Sequence, residues 1–456
     1  MSCTGVDRSK VGRLPRSSVP DEDSRNMLAT FDPGKTMTTR SQPYTGVSLF
    51  TGAGGLDLGL EAAGFQTRVA VEIDDDCVGT ISENRDWPLI ARSIHDIPSP
   101  ELLSRAGLEP GETDLLFGGP PCQPFSKAGY WASGDSRRLD DPRADTLGAF
   151  LRVLRDLRPR AFLIENVAGL AYRGKDEGLR LIQRTLDEIN RSAGTAYRAD
   201  LLVLNAASFG VPQLRQRAFL VGARDGSRLG TLQPTHGEPE PGPQLDLLDH
   251  IIKQPCLTAW DAIGDLEEDD DPELRMRGKW ADLLPSVPEG GNYLCFTDRG
   301  DGPALFGWRR RFWNFLLKLA KDQPSWTLTA QPGPATGPFH WRNRRLSARE
   351  LWRLKTIPDD YRISGNLAAV QRRVGNAVPS ALAEVIGLAI RHRLLGDHEV
   401  RQLRPTLLPR RRSPTPPPSR PAPVPAKYLH LAGINTPHPG TGQGYSASRR
   451  ATASGG

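Results

Sequence analysis

The chain has 456 residues, and its 59 lysines and arginines against 53 aspartates and glutamates give a net charge of +6. Hydrophobic residues make up 38% of the sequence and charged residues 25%, which is typical of a chain with a folded globular core. The chain contains no uninterrupted apolar run long enough to cross a bilayer, so the sequence predicts no membrane-spanning helix.

The five cysteines are widely spaced and include no C-x-x-C pair. This spacing argues against a disulfide framework and a structural zinc site, so we predict no bound metal and a reducing compartment. The amino-terminal region has no apolar segment of the kind that directs secretion, which also favours a cytoplasmic protein.

Between residues 44 and 225, apolar runs typical of buried strands alternate with helical patterns. This alternation predicts an α/β fold with a parallel sheet and crossover helices. The predicted strands are Val47–Phe50, Arg68–Ile73, Leu115–Phe117, Ala161–Ile164 and Ala218–Val221. The predicted helices are Asp57–Ala63, Asp75–Asn84, Thr146–Leu157, Gly178–Arg191 and Pro379–Leu395.

The alternation stops after residue 225 and returns near residue 344. We therefore predict that residues 226–343 form a smaller domain, inserted into a larger one made of residues 44–225 and 344–395. Residues 1–43 and 396–456 are polar and contain many prolines and arginines, so both ends are predicted to be disordered.

A glycine-rich segment, Thr51-Gly52-Ala53-Gly54-Gly55, follows the first predicted strand. Glycines at the carboxyl end of a first strand let the backbone turn sharply and come close to a ligand. Glu72 lies at the end of the second predicted strand, where a carboxylate could bind both ribose hydroxyls of an adenosine. A plain tight turn is the alternative for the glycines alone, but together with Glu72 they favour a nucleotide-like cofactor.

The segment Gly118-Gly119-Pro120-Pro121-Cys122-Gln123-Pro124-Phe125-Ser126 follows the third predicted strand. Its prolines exclude Cys122 from a helix or a central strand, so this cysteine is expected on a loop at the carboxyl edge of the sheet. A thiolate in that position can attack an electrophilic carbon, whereas a structural cysteine is usually a small hydrophobic residue within an element.

Two further segments carry charged side chains at strand ends. Glu165 follows the strand Ala161–Ile164, where a partly desolvated carboxyl group could hold a proton and act as a general acid; a solvated strand end is the alternative.

Arg215 and Arg217 point the same way if their segment is extended, so together they could hold an anion or a base carbonyl. A solvated edge is the alternative for this pair.

These segments occur in the order found in one family, and the chain resembles the DNA (cytosine-5)-methyltransferases over residues 47–395. The resemblance rests on FTGAGG, VEID, DI, GGPPCQPFS, ENV, Gln213–Arg217, Arg344–Tyr361 and VGNAVP at Val374–Pro379. It implies a class I S-adenosylmethionine-dependent methyltransferase fold with a Rossmann-like sheet, and residues 226–343 would be the target-recognition domain.

The resemblance also implies roles for individual residues. Cys122 would attack C6 of a cytosine flipped out of duplex DNA, and Glu165 would engage N3 and the exocyclic amine. Arg217 would contact the O2 carbonyl, with Arg215 supporting its loop. The methyl group would go to C5, and loss of the C5 proton would release the enzyme. The residues that fall where the family binds S-adenosylmethionine are Phe50, Gly52, Gly54, Gly55, Glu72, Ile73, Asp96, Ile97, Leu147, Asn376 and Val378.

Contacts with double-stranded DNA are expected from two places. The first is the cysteine motif, through Gln123 and Ser126. The second is Arg309, Arg310 and Arg311, which stand among aromatic residues and can bind phosphates; a helix with an apolar face is the alternative. Residues 298–373 carry fifteen bases against six acids, whereas residues 261–289 carry ten acids against three bases. The DNA-facing surface is therefore expected in the basic stretch.

The chain departs from the family pattern at a few positions. Thr51 and His95 stand where smaller residues are usual, and Leu354-Lys355-Thr356-Ile357-Pro358-Asp359 varies a usual LQ-x-F-P-D. None of these positions is catalytic. A bacterial DNA methyltransferase acting as a monomer, with a cognate restriction endonuclease as a candidate partner, is therefore the main hypothesis. A tRNA cytosine-5 methyltransferase and an inactive DNA-binding regulator are the alternatives, and the presence of Cys122 and Glu165 argues against the second.

Overall fold

A computed structural model describes residues 42–121, 145–167, 177–237, 253–266, 271–297, 300–306, 313–400 and 402–433. Six of the predicted site residues lie outside these ranges: Cys122, Gln123, Ser126, Arg309, Arg310 and Arg311. The predicted amino-terminal arm also lies outside them, apart from its last two residues.

Seven strands form one sheet in the described part of the chain. They are β1 (Tyr44–Leu49), β2 (Phe65–Val71), β3 (Leu89–Ile90), β4 (Leu115–Gly118), β5 (Ala161–Val167), β6 (Arg198–Asn205) and β7 (Gln216–Ala223). Their order across the sheet is β3-β2-β1-β4-β5-β7-β6, with parallel pairing from β3 through β5. The α/β prediction is therefore confirmed.

The prediction of an entirely parallel sheet is wrong at β7, which runs antiparallel to both β5 and β6. Parallel neighbours need a crossover connection of about a dozen residues or more. The connection from Asn205 to Gln216 is shorter than that and contains only a 3-10 turn, Ala206–Phe209, so the chain returns antiparallel.

Ten α-helices lie within the described residues. They are α1 (Gly55–Ala62), α2 (Asp75–Asn84), α3 (Ser99–Ala106), α4 (Asp145–Leu157), α5 (Glu177–Ala193), α6 (Ala259–Ile263), α7 (Ala348–Arg353), α8 (Leu367–Asn376), α9 (Ser380–Leu394) and α10 (Ala426–Leu429). Each of the five predicted helices matches one of these in position.

Apolar side chains cover both faces of the sheet because successive strand residues point to opposite sides. Leu163 belongs to a core that also contains residues of α1 and α9, whereas its neighbours Phe162 and Ile164 belong to the core beneath α3, α4 and α5. The helices α1 and α9 pack very closely, since a Cβ atom at Gly59 would lie 2.1 Å from the Ser380 carbonyl oxygen. The last core helix thus returns beside the first strand and its helix.

One stretch of the described chain, Leu367–Leu394, is long and apolar enough to cross a membrane by length and composition alone. It comprises α8 and α9, and 83% of its most apolar window is buried inside the protein. That burial is expected of helices that complete a protein core.

The described residues between 253 and 341 contain α6 and four 3-10 turns joined by irregular segments. Many of their apolar side chains form a cluster that includes Leu283, Tyr293 and Phe296. The sequence predicts an inserted domain here. Its boundaries at residues 226 and 343 stay a prediction.

Residues 402–433 lie on the folded body, although the sequence predicted disorder from residue 396 onward. We call these residues the C-terminal strap. Its first part packs Leu403, Leu407 and Leu408 against the core that contains α9. The buried Glu384 carboxylate on α9 accepts hydrogen bonds from Thr406 N at 2.7 Å and from the Thr406 hydroxyl at 2.8 Å.

The second part of the strap crosses the region between residues 253 and 341. Arg412 N donates to Asp261 at 2.6 Å, and the Arg412 guanidinium lies 3.0 Å from Asp265. Further along, Tyr428 is buried, stacks on Trp280 with ring centroids 5.7 Å apart, and donates from its hydroxyl to a backbone carbonyl at 2.7 Å. Prolines exclude helices from the strap up to Pro425, after which the short α10 forms, but they allow an extended chain that loses little entropy on docking. A few anchoring residues are therefore enough to hold the strap.

Replacing Tyr428 by Ala should lower the free energy of unfolding by about 3 kcal/mol, because a buried aromatic ring is lost. Tyr428→Phe, which loses only the hydroxyl bond, should cost about 1 kcal/mol. The adjacent Leu429 is 48% exposed, so Leu429→Ala is the matched control and should change stability by about 0.5 kcal/mol or less. Denaturant unfolding measures all three; equal effects at positions 428 and 429 would contradict the docked strap.

Candidate active site

A cleft of about 550 Å³ opens at the carboxyl ends of β1, β2, β4 and β5. Many of the predicted site residues line it: Phe50, Gly52, Gly55, Glu72, Ile73, Glu165, Arg217, Asn376 and Val378. Pro120 and Pro121, directly before Cys122, line it as well. The residues predicted for the cofactor and those predicted for the base therefore share one cleft.

Five other predicted residues do not line this cleft. Gly54 and Arg215 lie behind its walls, and Ile97 and Leu147 are buried in the core beneath α3 and α4. Asp96 is exposed at the end of a 3-10 turn. The cofactor roles assigned to Asp96, Ile97 and Leu147 stay predictions.

The glycine-rich loop turns tightly through three residues with positive φ, which are Phe50 at 55°, Gly52 at 58° and Gly54 at 78°. A Cβ atom at Gly54 would lie 2.8 Å from the Tyr361 hydroxyl, so the loop packs tightly on that side. At Gly52 a Cβ atom would meet nothing within 4 Å. The loop ends at the amino terminus of α1, whose free N–H groups favour an anionic ligand group.

Glu72 joins this loop to the end of β2. Its Oε2 accepts a hydrogen bond from Gly52 N at 2.6 Å, while its Oε1 accepts from Ile73 N at 2.8 Å and Asp74 N at 2.9 Å. Three N–H donors hold the carboxylate in one orientation, and Oε2 keeps acceptor capacity for a ligand. Beside it, Ile73 is 66% exposed and offers an apolar surface at the edge of the cleft.

Glu165 and Arg217 form an ion pair, with Arg217 Nε 2.9 Å from Glu165 Oε1. The antiparallel pairing of β5 with β7 brings them together, and both side chains are largely buried. Burial lowers the pKa of Arg217, and the Glu165 carboxylate partly offsets this effect. A Cβ atom at Gly119 would lie 3.1 Å from Glu165 Oε2, so the segment that leads to Cys122 passes directly beside this pair.

Arg215 does not point the same way as Arg217, which corrects the expectation for an extended segment. It precedes β7, is 1% exposed, and donates from Nη2 to Gly375 O at 2.8 Å and Asn376 O at 3.4 Å. The alternation of a strand does not reach residue 215 because regular pairing begins at Gln216. Arg215 therefore supports the wall of the cleft from behind.

Asp57 is a cleft residue that the sequence analysis did not select. It lies on α1 and is 1% exposed, and within the described residues its carboxylate oxygens make no hydrogen bond of ordinary geometry, although the Ser48 hydroxyl lies nearby. Burial raises its pKa to about 7, with smaller contributions from Glu61 and Glu72, and the nearby Ser48 hydroxyl only partly opposes this. An acidic residue near a helix start is usually a capping residue, so its burial could not be predicted.

No group of three or more histidine, cysteine, aspartate or glutamate side chains in the described ranges is arranged to hold a metal ion.

Residues 44–392 match the family model for C-5 cytosine-specific DNA methylases. The chain belongs to this family. The protein is thus a DNA cytosine-5 methyltransferase, and its sheet with one antiparallel strand is the class I S-adenosylmethionine-dependent methyltransferase fold.

Two curated relatives of this methyltransferase are bacterial enzymes. It is 39% identical to the Type II methyltransferase M.SacI of Streptomyces achromogenes over 373 residues, covering 76% of this chain and 93% of the relative. It is 43% identical to the Type II methyltransferase M.AquIA of Picosynechococcus sp. over 223 residues, covering 48% of this chain and 88% of the relative.

Two solved structures share the fold of this methyltransferase. A putative DNA modification methyltransferase encoded within an E. coli prophage aligns with a TM-score of 0.51 at 22% identity, covering 78% of this chain and 100% of that one. Spodoptera frugiperda DNMT2 aligns with a TM-score of 0.51 at 15% identity, covering 76% of this chain and 99% of that one.

The raised pKa of Asp57 predicts a pH-dependent stability. A carboxyl group whose pKa rises from 3.8 in the unfolded chain to about 7 in the folded one stabilises the fold fully below pH 3.8 and loses this contribution as pH rises to 7. The unfolding free energy of Asp57→Asn, minus that of the wild type, should therefore grow by about 3 kcal/mol between pH 4 and pH 7.

Denaturant unfolding at several pH values measures this difference. The Asn variant of the exposed Asp360 controls for the general effect of removing a carboxylate. If the difference in unfolding free energy between the wild type and Asp57→Asn does not change with pH, the pKa of Asp57 is not raised in the folded protein.

Proposed function

We propose that this enzyme transfers a methyl group from S-adenosylmethionine to C5 of a cytosine flipped out of a specific duplex DNA sequence, through a covalent adduct with Cys122. The observation that carries the proposal is the shared cleft, in which the glycine-rich loop and Glu72 face the Glu165–Arg217 pair. A methyl donor and a cytosine ring bound in this one cleft would lie next to each other.

The residues of the cleft fit S-adenosylmethionine. The remaining acceptor capacity of Glu72 Oε2 suits a ribose hydroxyl, and the exposed Ile73 suits one face of the adenine. The open space beside Gly52 and the amino terminus of α1 suit the methionine carboxylate. When bound, this cofactor supplies an electrophilic methyl group.

The Glu165–Arg217 pair supports the base chemistry. Arg217 would donate to the cytosine O2, and Glu165 would accept from the exocyclic amine and provide a proton at N3. These contacts draw electron density from the ring, so the Cys122 thiolate can form a bond to C6 and leave C5 nucleophilic. After C5 takes the methyl group, loss of the C5 proton and cleavage of the bond between the Cys122 sulfur and C6 restore the aromatic ring.

Because the pair is largely buried in the cleft, a cytosine within a stacked duplex cannot reach it, so we propose that the base is flipped out. Residues 226–343 would read the flanking sequence, with phosphate contacts from Arg309, Arg310 and Arg311 and further contacts from Gln123 and Ser126. The names of the Type II relatives support a bacterial restriction-modification setting. That setting implies a cytoplasmic monomer paired with a cognate endonuclease.

Cys122→Ala should reduce methyl transfer to background while binding of S-adenosylmethionine survives, because only the nucleophile is lost. Transfer of radiolabelled methyl groups to DNA and calorimetric binding of the cofactor measure the two effects. Cys295→Ala is the matched control, because Cys295 packs against the apolar cluster that includes Leu283, Tyr293 and Phe296 and does not line the cleft. Full activity of Cys122→Ala would contradict the covalent mechanism.

Duplex DNA that carries 5-fluorocytosine at the target position tests the adduct directly. Fluorine replaces the C5 proton that must leave, so the wild-type enzyme should remain attached to the DNA under denaturing conditions when S-adenosylmethionine is present. The Cys295→Ala variant should form the same complex and Cys122→Ala should not. A wild-type enzyme that transfers methyl groups to ordinary DNA but forms no such complex would refute the adduct.

A further inference from the structure

Two buried cations lie at the carboxyl terminus of α8. Arg215 donates from Nη2 to Gly375 O at 2.8 Å, and Lys355, which is fully buried, donates from Nζ to Ala377 O at 2.6 Å. The last carbonyl groups of a helix lack partners within the helix and carry partial negative charge. Basic side chains at this position donate hydrogen bonds to these carbonyls. Their attraction to the partial negative charge offsets part of the free-energy cost of removing the side chains from water.

Lys355 and Thr356 make hydrogen bonds with residues on both sides of the turn that joins α8 to α9. The Lys355 carbonyl accepts a hydrogen bond from Ser380 N at 3.0 Å, and the Thr356 hydroxyl oxygen accepts one from Ala381 N at 2.9 Å. Thr356 has a φ of 55°, which a β-branched residue adopts only when its surroundings enforce it. Together with the Lys355 Nζ bond to Ala377, these contacts fix the turn before and after Pro379.

The turn held in this way is a wall of the cleft. Asn376, Ala377 and Val378 all line it, and a Cβ atom at Gly55 would lie 2.5 Å from the Val378 carbonyl oxygen. The glycine-rich loop therefore rests directly on this turn. A shift of the turn would displace the loop that faces the cofactor.

Lys355 also lies near the groups that face the base. Burial lowers its pKa strongly, repulsion by Arg215 and Arg217 lowers it further, and attraction to Glu165 works in the opposite direction. The lysine thus lies within electrostatic range of the ion pair on β5 and β7, while its hydrogen bond to Ala377 O connects it to the turn at the end of α8.

We propose that Lys355 is a positioning residue that fixes the cofactor wall of the cleft, residues 376–378, relative to the Glu165–Arg217 pair. The motif that residues 354–359 resemble usually has glutamine at this position, whereas this chain has lysine. A lysine side chain has one more atom in its chain than glutamine, and it places its terminal nitrogen 2.6 Å from the Ala377 carbonyl oxygen at the helix terminus. The inference rests on the assignment of the cleft to S-adenosylmethionine.

The test compares three variants with the wild-type enzyme. Lys355→Met fills most of the volume of the aliphatic side chain and removes its donors, so the Kd and KM for S-adenosylmethionine should rise roughly tenfold while the KM for DNA stays within about a factor of two. Lys355→Gln, whose amide can still donate to Ala377 O, should recover most of the cofactor affinity. If Lys355→Met does not fold, the Gln variant should still show a cofactor KM raised about threefold with the DNA KM unchanged.

Lys318→Met is the matched control. Lys318 is also buried and donates from Nζ to a backbone carbonyl, Val287 O, at 2.5 Å, but it does not line or support the cleft. It should lose thermal stability without a change in cofactor affinity.

Wild-type cofactor affinity in the Lys355 variants would overturn the inference, as would an equal loss in Lys355→Met and Lys318→Met. Calorimetric titration of the wild-type enzyme with S-adenosylmethionine distinguishes a failure of this inference from a failure of the proposed function. A wild-type enzyme that does not bind S-adenosylmethionine would refute the proposed function itself.

Discussion

The hydrogen bonds at the carboxyl terminus of α8 connect three distant parts of the chain. Arg215 comes from the segment before β7, Lys355 from the segment after α7, and the carbonyls that they bind belong to residues 375–377. None of these groups is fully hydrated, so each donor that is lost leaves a buried carbonyl unsatisfied. The return of the chain as α8 and α9 is therefore required to complete the cleft that β1, β2, β4 and β5 begin.

The carboxyl groups around the cleft have different hydrogen-bonding and ionic partners, and these partners determine whether each group is held in one orientation. Three N–H donors hold Glu72, and Arg217 holds Glu165, so both carboxylates are oriented. Asp57 has no such partner in the described residues, and burial raises its pKa instead. The cleft thus contains two oriented carboxylates, for which we propose roles toward the cofactor and the base, and one carboxyl group with a raised pKa on α1.

Some of the positively charged side chains of the C-terminal strap form ion pairs within the protein. Arg412 pairs with Asp265 and Lys427 with Asp282, and both carboxylates lie in the acidic stretch 261–289. These cations therefore lie against carboxylates of the same protein. The strap instead joins the core that contains α9 to the cluster that contains Tyr428.

The sequence predicted five of the seven strands and missed β3 and the eight-residue β6, because only strands with a continuous apolar run stand out in a local pattern. Leu115–Phe117 and Ala161–Ile164 could be recognised from their apolar runs, and Glu72 from its position at a strand end. The two-residue strand β3 was too short to predict, and the direction of β7 depended on the length of a connection. Lys355 and Arg215 would be expected at the surface from their chemistry, and only the tertiary structure shows the helix carbonyls that they bind.

The proline-rich strap was missed for a related reason. Its composition is typical of disorder, and its docking depends on a few leucines and Tyr428 whose binding sites are formed by distant residues. The assignments of Cys122, Gln123, Ser126 and the arginines at 309–311 rest on the family resemblance and stay predictions.

The central claim is that this protein methylates cytosine at C5 within a specific DNA sequence. Expression in a bacterial host that lacks cytosine methylation, followed by bisulfite sequencing of the host DNA, tests it most directly. The account predicts one short sequence in which the same cytosine resists conversion at nearly every copy, while cytosines elsewhere convert. Complete conversion of all cytosines in cells that contain the folded protein would contradict the account.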